Sequence, residues 1–385
     1  MRSLQRPIER DLEEKFVLLA GPRQVGKTHL AKAILKGKEG RYYNWDLAED
    51  RENVLAKSFL QDRFVVLDEL HKYERWKGWL KGLYDKYHSH LKILVTGSSR
   101  LDVYQRGGDS LFGRYLLHHL HPLSMGEIGH PKKIEKPDTL FIPEGTGVGN
   151  RELLNQLFRW GGFPEPFHAG REETHRRWSL QRRELLVRED IRDLSTIQHL
   201  TLVEHLLLLL PSRVGSPLSI NSLREDLQVA HNTVTAWLET FSRLYIVFML
   251  RPYTAKLQRS IRKERKLYLW DWSQVKDDGA RFENLVASHL WKAVQMWRDL
   301  GFGDFDLTFL RDRDRREVDF CITKDQHPWL LVEAKFSETQ IADPLLYYSN
   351  RLQIPAVQIV HREGIDKQVG SIRLISADRW LPRLP

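Results

Sequence analysis

The run Gly21-Pro22-Arg23-Gln24-Val25-Gly26-Lys27-Thr28 has the G-x-x-x-x-G-K-T spacing of a loop that cradles phosphate. Its glycines let backbone N–H groups turn inward onto phosphate oxygens, and a helix starting at the loop's end adds the positive end of its dipole. Lys27 would reach the β- and γ-phosphates, and the Thr28 hydroxyl would ligate Mg²⁺. A second chemistry-bearing run is Phe64-Val65-Val66-Leu67-Asp68-Glu69. Asp68 would hold Mg²⁺ through water, while Glu69 would orient and deprotonate the attacking water. Downstream, Thr96-Gly97-Ser98-Ser99-Arg100 places small hydroxyls where a γ-phosphate sensor would stand, Ser98 first and Thr96 next. Asn44 joins Glu69, Ser98 and Arg114 among the candidate catalytic residues. Arg114 is either an arginine finger serving a neighbouring subunit or an ordinary surface arginine. Together these residues imply a nucleoside triphosphatase.

Elements of a particular kind must position them. Phe16-Val17-Leu18-Leu19-Ala20 is an apolar run before the loop, and residues 29–35 have helical spacing. Four consecutive apolar residues before Asp68 predict a strand buried on both faces, as in a parallel sheet, with the acidic pair at its carboxyl end. Strand-like runs at 41–45, 91–95 and 115–120 alternate with helical stretches at 49–60 and 76–87. The fold class that follows is α/β, a P-loop NTPase parallel sheet.

The phosphate loop, the Leu-Asp-Glu-Leu-His-Lys run with Trp76 downstream, and Thr-Gly-Ser-Ser resemble the AAA+-type ATPases common in archaea and bacteria. The likeness continues through Gly161-Gly162-Phe163-Pro164-Glu165, Arg188-Glu189-Asp190-Ile191 and Phe282-Glu283-Asn284-Leu285-Val286. It implies ATP with Mg²⁺, a helical lid and winged helix after the sheet, and then a smaller α/β restriction-endonuclease-like domain of PD-(D/E)XK type. The expected boundaries are 1–128, 129–210, 211–270 and 271–385. In the last region Asp319, then Glu333 with Lys335 two residues on, resembles the nuclease core, with Glu283 as its helix-borne acid and Val318 where the motif has proline. Period-two alternation puts Glu333 and Lys335 on one strand face. Asp319 and Glu333 could then share Mg²⁺ or Mn²⁺, while Lys335 steadies the attacking water or the scissile phosphate. Arg311, Arg313, Arg315 and Arg316 stand just upstream as candidate backbone contacts.

Residues 219–244 read as two short helices around a Gln228-Val229-Ala230 turn, which resembles helix-turn-helix or winged-helix architecture. Asn232, Thr233, Thr235 and Trp237 would lie on or near its exposed recognition face. Residues 251–266 hold Arg251, Lys256, Arg259, Arg262, Lys263, Arg265 and Lys266 against one acid, Glu264. That clustering is a candidate phosphate-contacting patch. The alternative is a winged helix used for subunit packing, with a basic loop that is merely solvated.

A net charge of +9 over 385 residues leans toward an acidic partner such as DNA. No apolar stretch is long enough to span a bilayer, the N-terminus lacks a signal-peptide core, and the single Cys321 suits a reducing compartment, so a cytoplasmic protein is expected. The AAA+-type resemblance, with Arg114 as a finger for a neighbouring subunit, implies a homo-oligomer. His118, His119 and His121 do not make a metal site, because adjacent strand residues face opposite ways and no third ligand is evident. The function expected is ATP-dependent action on DNA, such as a motor on branched or single-stranded DNA with metal-dependent nuclease activity. The alternatives are a nucleotide-driven signalling or protein-remodelling switch whose nuclease-like domain is only a scaffold, and an ATP-regulated transcription factor.

Overall fold

The computed structural model describes residues 2–97, 111–129, 136–141, 149–191, 200–254 and 264–385. The chain divides into two compact units, Met1–His121 and Pro122–Pro385.

In the first unit, α1 (Gln5–Asp11) precedes β1 (Phe16–Ala20), α2 (Lys27–Leu35), β2 (Gly40–Asn44), α3 (Ala48–Ala56), β3 (Phe64–Asp68), α4 (Trp76–Tyr87), β4 (Lys92–Thr96) and β5 (Tyr115–His119). The strands form one parallel sheet in the order β2-β3-β4-β1-β5. Every residue of β1 and β3 is buried, which is why both read as continuous apolar runs rather than alternating ones. The helix α4 covers the sheet with Trp76, Leu80 and Leu83, at i, i+4 and i+7. Each such buried leucine contributes about 1.5–3 kcal/mol. Because all five strands run the same way, Ala20, Asn44, Asp68 and Thr96 end on a single edge. His118 is fully buried on β5 with Nε2 2.8 Å from Asp11 Oδ2, a structural pair. Burial pushes the Asp11 carboxyl up, but the hydrogen bonds from His118 and Arg10 outweigh it and hold it low.

The second unit opens with α5 (Met125–Gly129), α6 (Arg151–Trp160), α7 (Pro164–Ala169), α8 (Glu172–Leu185), α9 (Leu200–Leu209), α10 (Ile220–Leu227) and α11 (His231–Arg243). An antiparallel pair follows, β6 (Val247–Leu250) with β7 (Lys266–Leu269), and then the long α12 (Asp278–Asp299). The remaining strands are β8 (Phe305–Arg311), β9 (Glu317–Lys324), β10 (His327–Lys335), β11 (Ala356–Val360), β12 (Asp366–Val369) and β13 (Ile372–Ser376), with α13 (Asp343–Leu352) between β10 and β11 and α14 (Ala377–Trp380) last. They make a mixed sheet in the order β12-β13-β11-β10-β9-β8. The β9–β10 hairpin closes through Asp325 and Gln326, both at positive φ, as a two-residue turn requires. From β10 to β11 the chain crosses over through α13 to a parallel neighbour.

The first division was expected at residue 128 and falls after His121. The helix α5 belongs to the second unit, where buried Glu127 is ion-paired with Lys292 of α12 at 2.9 Å. One continuous core runs from Leu153 through Trp237 to Leu330, across the expected divisions at 210 and 270. No helix among the described residues is long and apolar enough to cross a membrane.

Candidate functional site

The loop between β1 and α2 is shaped by residues that tolerate unusual backbone. Gly21 has φ +149°, and a Cβ there would lie 2.4 Å from the Leu120 carbonyl oxygen. Only glycine lets the chain after β5 come this close, where the Leu120 N–H donates to the Ala20 carbonyl at 2.8 Å. Gln24 and Gly26 also have positive φ, and Lys27 then starts the helix. The buried Lys27 ammonium turns back across the loop and donates to the carbonyls of Gly21 (2.9 Å) and Pro22 (2.8 Å). The loop thus holds its cation at the place where a phosphate chain would meet it.

Asp68 is buried at the carboxyl end of β3 and collects three hydroxyls. Thr28 Oγ1 donates to Oδ2 at 2.7 Å and Tyr42 Oη at 2.6 Å, while Thr96 Oγ1 donates to Oδ1. The topology explains the last contact: β4 lies between β1 and β3, and its final residue Thr96 is in register with Asp68. Thr28 and Asp68 are adjacent hard-oxygen donors, a set that fits Mg²⁺. Beside them Glu69 takes φ +58° and donates its N–H to the Thr96 carbonyl. Burial pushes the Glu69 carboxyl up, opposed by Lys27 and Lys72, and it stays above its ordinary value. A carboxylate raised in this way is a stronger proton acceptor.

Other expected participants are placed differently. Asn44 is in register with Asp68, but its side-chain oxygen accepts from the Asp46 N–H at 3.1 Å, shaping the turn into α3. Ser98 lies outside the described residues, and Thr96 is held by Asp68. Arg114 precedes β5 at the amino edge of the sheet, where its Nε is 2.6 Å from Asp85 Oδ1. The length of a five-residue strand, about 16 Å, separates that edge from its own phosphate loop. Tyr42 escaped sequence reasoning. The available signal was its position two residues before Asn44, on the same strand face.

In the second unit, Glu283 on α12, Asp319 on β9, and Glu333 with Lys335 on β10 stand close to one another. Lys335 Nζ is 2.9 Å from Glu333 Oε1. The Asp319 N–H donates to Glu333 Oε2 at 3.1 Å, and Asp319 Oδ2 accepts from the Ala334 N–H at 3.2 Å. The unexpected member is Lys266, which was placed with the phosphate-contacting patch. It is instead 1% exposed, with Nζ at 2.7 Å from Glu317 Oε1, 3.1 Å from Asp319 Oδ1 and 3.3 Å from Glu283 Oε1. Tyr268 donates to Glu283 Oε1 at 2.7 Å. All four oxygens of Asp319 and Glu333 therefore already have protein partners, with an ammonium among the acids. The ammonium rather than the occupied oxygens keeps this donor set from fitting the divalent ion expected on Asp319 and Glu333, since it is already held by Asp319, Glu317 and Glu283. Among the described residues no group of three or more His, Cys, Asp or Glu side chains is arranged to hold a metal ion.

The cluster carries a pH signature. Burial and the neighbouring Asp319 push Glu283 up to about 7 and Glu333 up to about 8. Burial pushes His289 and His361 down to about 4. The raised glutamates contribute stability fully below their ordinary value and lose it as pH rises through the folded values. The histidine contribution is lost only as pH falls from about 6.5 toward 4, so it is constant above that window. Stability of the full chain is therefore expected to fall by about 1–3 kcal/mol between about pH 6.5 and 8.5. Urea midpoints read by tryptophan emission check this, and Glu333→Gln should flatten most of the decline.

The helix pair α10 and α11 is joined at Gln228, whose φ is +53°. Val234, Trp237, Leu238 and Phe241 form the buried stripe of α11. Trp237, expected near the exposed face, is thus a core residue, because i, i+3, i+4 and i+7 share one helix face. Asn232 is exposed, Thr233 and Thr235 are half-buried, and the Thr235 hydroxyl donates to the His231 carbonyl. Lys256, Arg259, Arg262 and Lys263 lie outside the described residues. Arg251 pairs with Asp306, Arg311 with Glu317, and Arg316 with Asp312 and Asp314, so these arginines are partly neutralised within the fold.

Residues 13–129 match the family model of an AAA domain. Residues 151–275 match a domain of unknown function, DUF8612, and residues 278–374 another, DUF4143. The uncharacterized protein Rv2008c of Mycobacterium tuberculosis is 24% identical over 259 residues, covering 66% of this chain and 54% of the relative. The chain thus spans about half the length of that relative. The uncharacterized protein MJ1637 of Methanocaldococcus jannaschii is 25% identical over 334 residues, covering 74% and 69%. Among solved structures, the Thermotoga maritima RuvB Holliday junction branch migration motor aligns at 15% identity over 68% of this chain and 94% of that one, with a TM-score of 0.31. The assignment rests on the family match and on the geometry around Lys27 and Asp68. Residues 13–129 match an AAA domain and carry the parallel sheet and phosphate loop of a P-loop nucleotide-binding fold.

Proposed function

We propose that this chain is a Mg²⁺-dependent ATPase that acts on DNA as a homo-oligomer. The observation that carries the ATPase reading is the cluster of Thr28, Asp68 and Thr96 with Glu69 beside it, on the same sheet edge as the loop that holds Lys27. Residues 21–28 bind the triphosphate, with Lys27 releasing its two carbonyls to take up phosphate oxygens. Thr28 and Asp68 hold Mg²⁺, which when bound neutralises charge on the β- and γ-phosphates. Glu69 orients the attacking water and accepts its proton. Tyr42 and Thr96 fix the Asp68 carboxylate. Arg114, too far from its own loop to assist it, serves a neighbouring subunit, which is the basis for the oligomer. Ser98 and Asn44 complete the polar edge. The buried Cys321 fits a reducing cytoplasm.

DNA is the partner that the second unit supports best. A helix, a three-residue turn, a second helix and an antiparallel strand pair is the order of a winged helix, and the exposed Asn232 with the half-buried Thr233 and Thr235 would supply its recognition face. Lys256, Arg259, Arg262 and Lys263 fall in sequence between the two strands and supply phosphate contacts. The helix, three antiparallel strands, helix and parallel strand from α12 to β11 support a nuclease-like fold. Its acid cluster favours the scaffold reading of that fold over cleavage.

The test is ATPase activity and binding on single-stranded, duplex and forked DNA. Binding should weaken linearly on a log–log salt plot, with a slope of about −0.9 per phosphate contact on duplex DNA. Lys263→Ala should reduce the slope by about one contact while leaving basal ATPase unchanged. Salt-insensitive binding, or ATPase indifferent to every DNA, would move the assignment to a protein-remodelling switch.

A further inference from the structure

An ammonium group and a divalent cation can both relieve the repulsion among packed carboxylates, and a small acid cluster has room for only one of them. In the second unit Glu283, Glu317, Asp319 and Glu333 converge from α12, β9 and β10. Lys266, the first residue of β7, reaches into their midst from the strand pair. An ammonium has three N–H donors, and here three carboxylate oxygens, on Glu317, Asp319 and Glu283, lie within 3.3 Å of it. Lys335 takes one oxygen of Glu333, and Arg311 takes Glu317 Oε2 at 2.8 Å. On the remaining side, Gly215 at φ +79° presses its backbone against Glu283, where a Cβ would lie only 2.8 Å from Oε2. A divalent ion bound there would take six or more oxygen ligands at about 2.0–2.6 Å, and the Lys266 ammonium, already held by three of the four acids, stands among the oxygens that would supply the protein's share of them.

We propose that the Lys266 ammonium is the resident cation of this cluster, standing in the place of a divalent ion, and that the second unit uses the cluster to fasten β7 to the β9–β10 sheet rather than to hydrolyse phosphodiesters. The acids anchor a lysine, so their burial is compensated without a metal. This assignment is independent of the nucleotide site and of DNA binding, since it concerns neither the phosphate loop nor the outer side of α11.

The experiment is Mn²⁺ titration followed by electron paramagnetic resonance, without nucleotide, on full-length protein carrying Asp68→Asn to remove the nucleotide-site ligand. The expected result is no specific Mn²⁺ binding below millimolar concentration. Adding Lys266→Ala to that background should create a site at least tenfold tighter, which Asp319→Asn abolishes. If Lys266→Ala does not yield folded protein, the Lys266→Gln variant keeps the stem and removes the charge, and the same gain is expected. Nicking of supercoiled plasmid in Mg²⁺ or Mn²⁺ is measured alongside on the wild type and should be absent. Tight Mn²⁺ binding by the parent that Glu333→Gln removes, nicking lost in Lys335→Ala, or no gain of binding in either folded Lys266 variant would each overturn the proposal.

Discussion

Replacing Glu69 with Gln is expected to lower ATP turnover by about 10²–10⁴-fold, the contribution typical of a positioned general base, while nucleotide affinity stays near wild type. The split follows from the geometry. Affinity resides in the loop 21–28 and in Lys27, whose ammonium donates to the loop carbonyls, whereas Glu69 follows the last residue of β3 and is tied through its N–H to the Thr96 carbonyl. Glutamine keeps the shape and removes the carboxylate's charge together with its capacity to accept the proton. Steady-state phosphate release together with fluorescent-nucleotide binding reads both quantities. Turnover retained within a few-fold would remove Glu69 from the role of base, and lost binding would make it structural.

The second large effect is on stability. Lys266→Met removes one partner of a buried charge network and leaves Glu283, Glu317 and Asp319 facing one another. Breaking a buried pair from one side typically costs about 3–5 kcal/mol. Methionine preserves most of the volume, so the loss would come from uncompensated charge rather than from a cavity. A second substitution, Asp319→Asn, should return a large part of the loss, because neighbours in one network are not additive. Urea denaturation of the full chain measures both. Destabilisation below about 1 kcal/mol by Lys266→Met would show that the ammonium is poorly held or solvated, as at a surface pair.

What the sequence made legible follows from how local each signal is. The phosphate loop and the strand before Asp68 are contiguous runs whose backbone needs and burial are written in neighbouring residues, and the sheet of the first unit matches that reading. The roles of Tyr42 and Thr96 around Asp68 come from strand order, which places β4 between β1 and β3, and order is not encoded in any one run. Lys266 shows the same limit more sharply. In sequence it closes a basic stretch and looks like a phosphate contact. In space the β6–β7 pairing turns it inward, toward acids from as far as Glu317 and Asp319. Trp237 differs for a simpler reason: its helical period coincides with Val234, Leu238 and Phe241, which sets it on the buried stripe of α11 rather than on the exposed face.

The central claim is that the loop at 21–28 and the Asp68–Glu69 pair hydrolyse ATP. Phosphate release from ATP by the purified full chain, with and without Mg²⁺, beside the Lys27→Ala variant, tests it most directly. Mg²⁺-dependent release that Lys27→Ala removes is the predicted result. Release that persists in Lys27→Ala, or a wild-type chain that binds ATP and Mg²⁺ without any turnover on DNA or off it, would contradict the account.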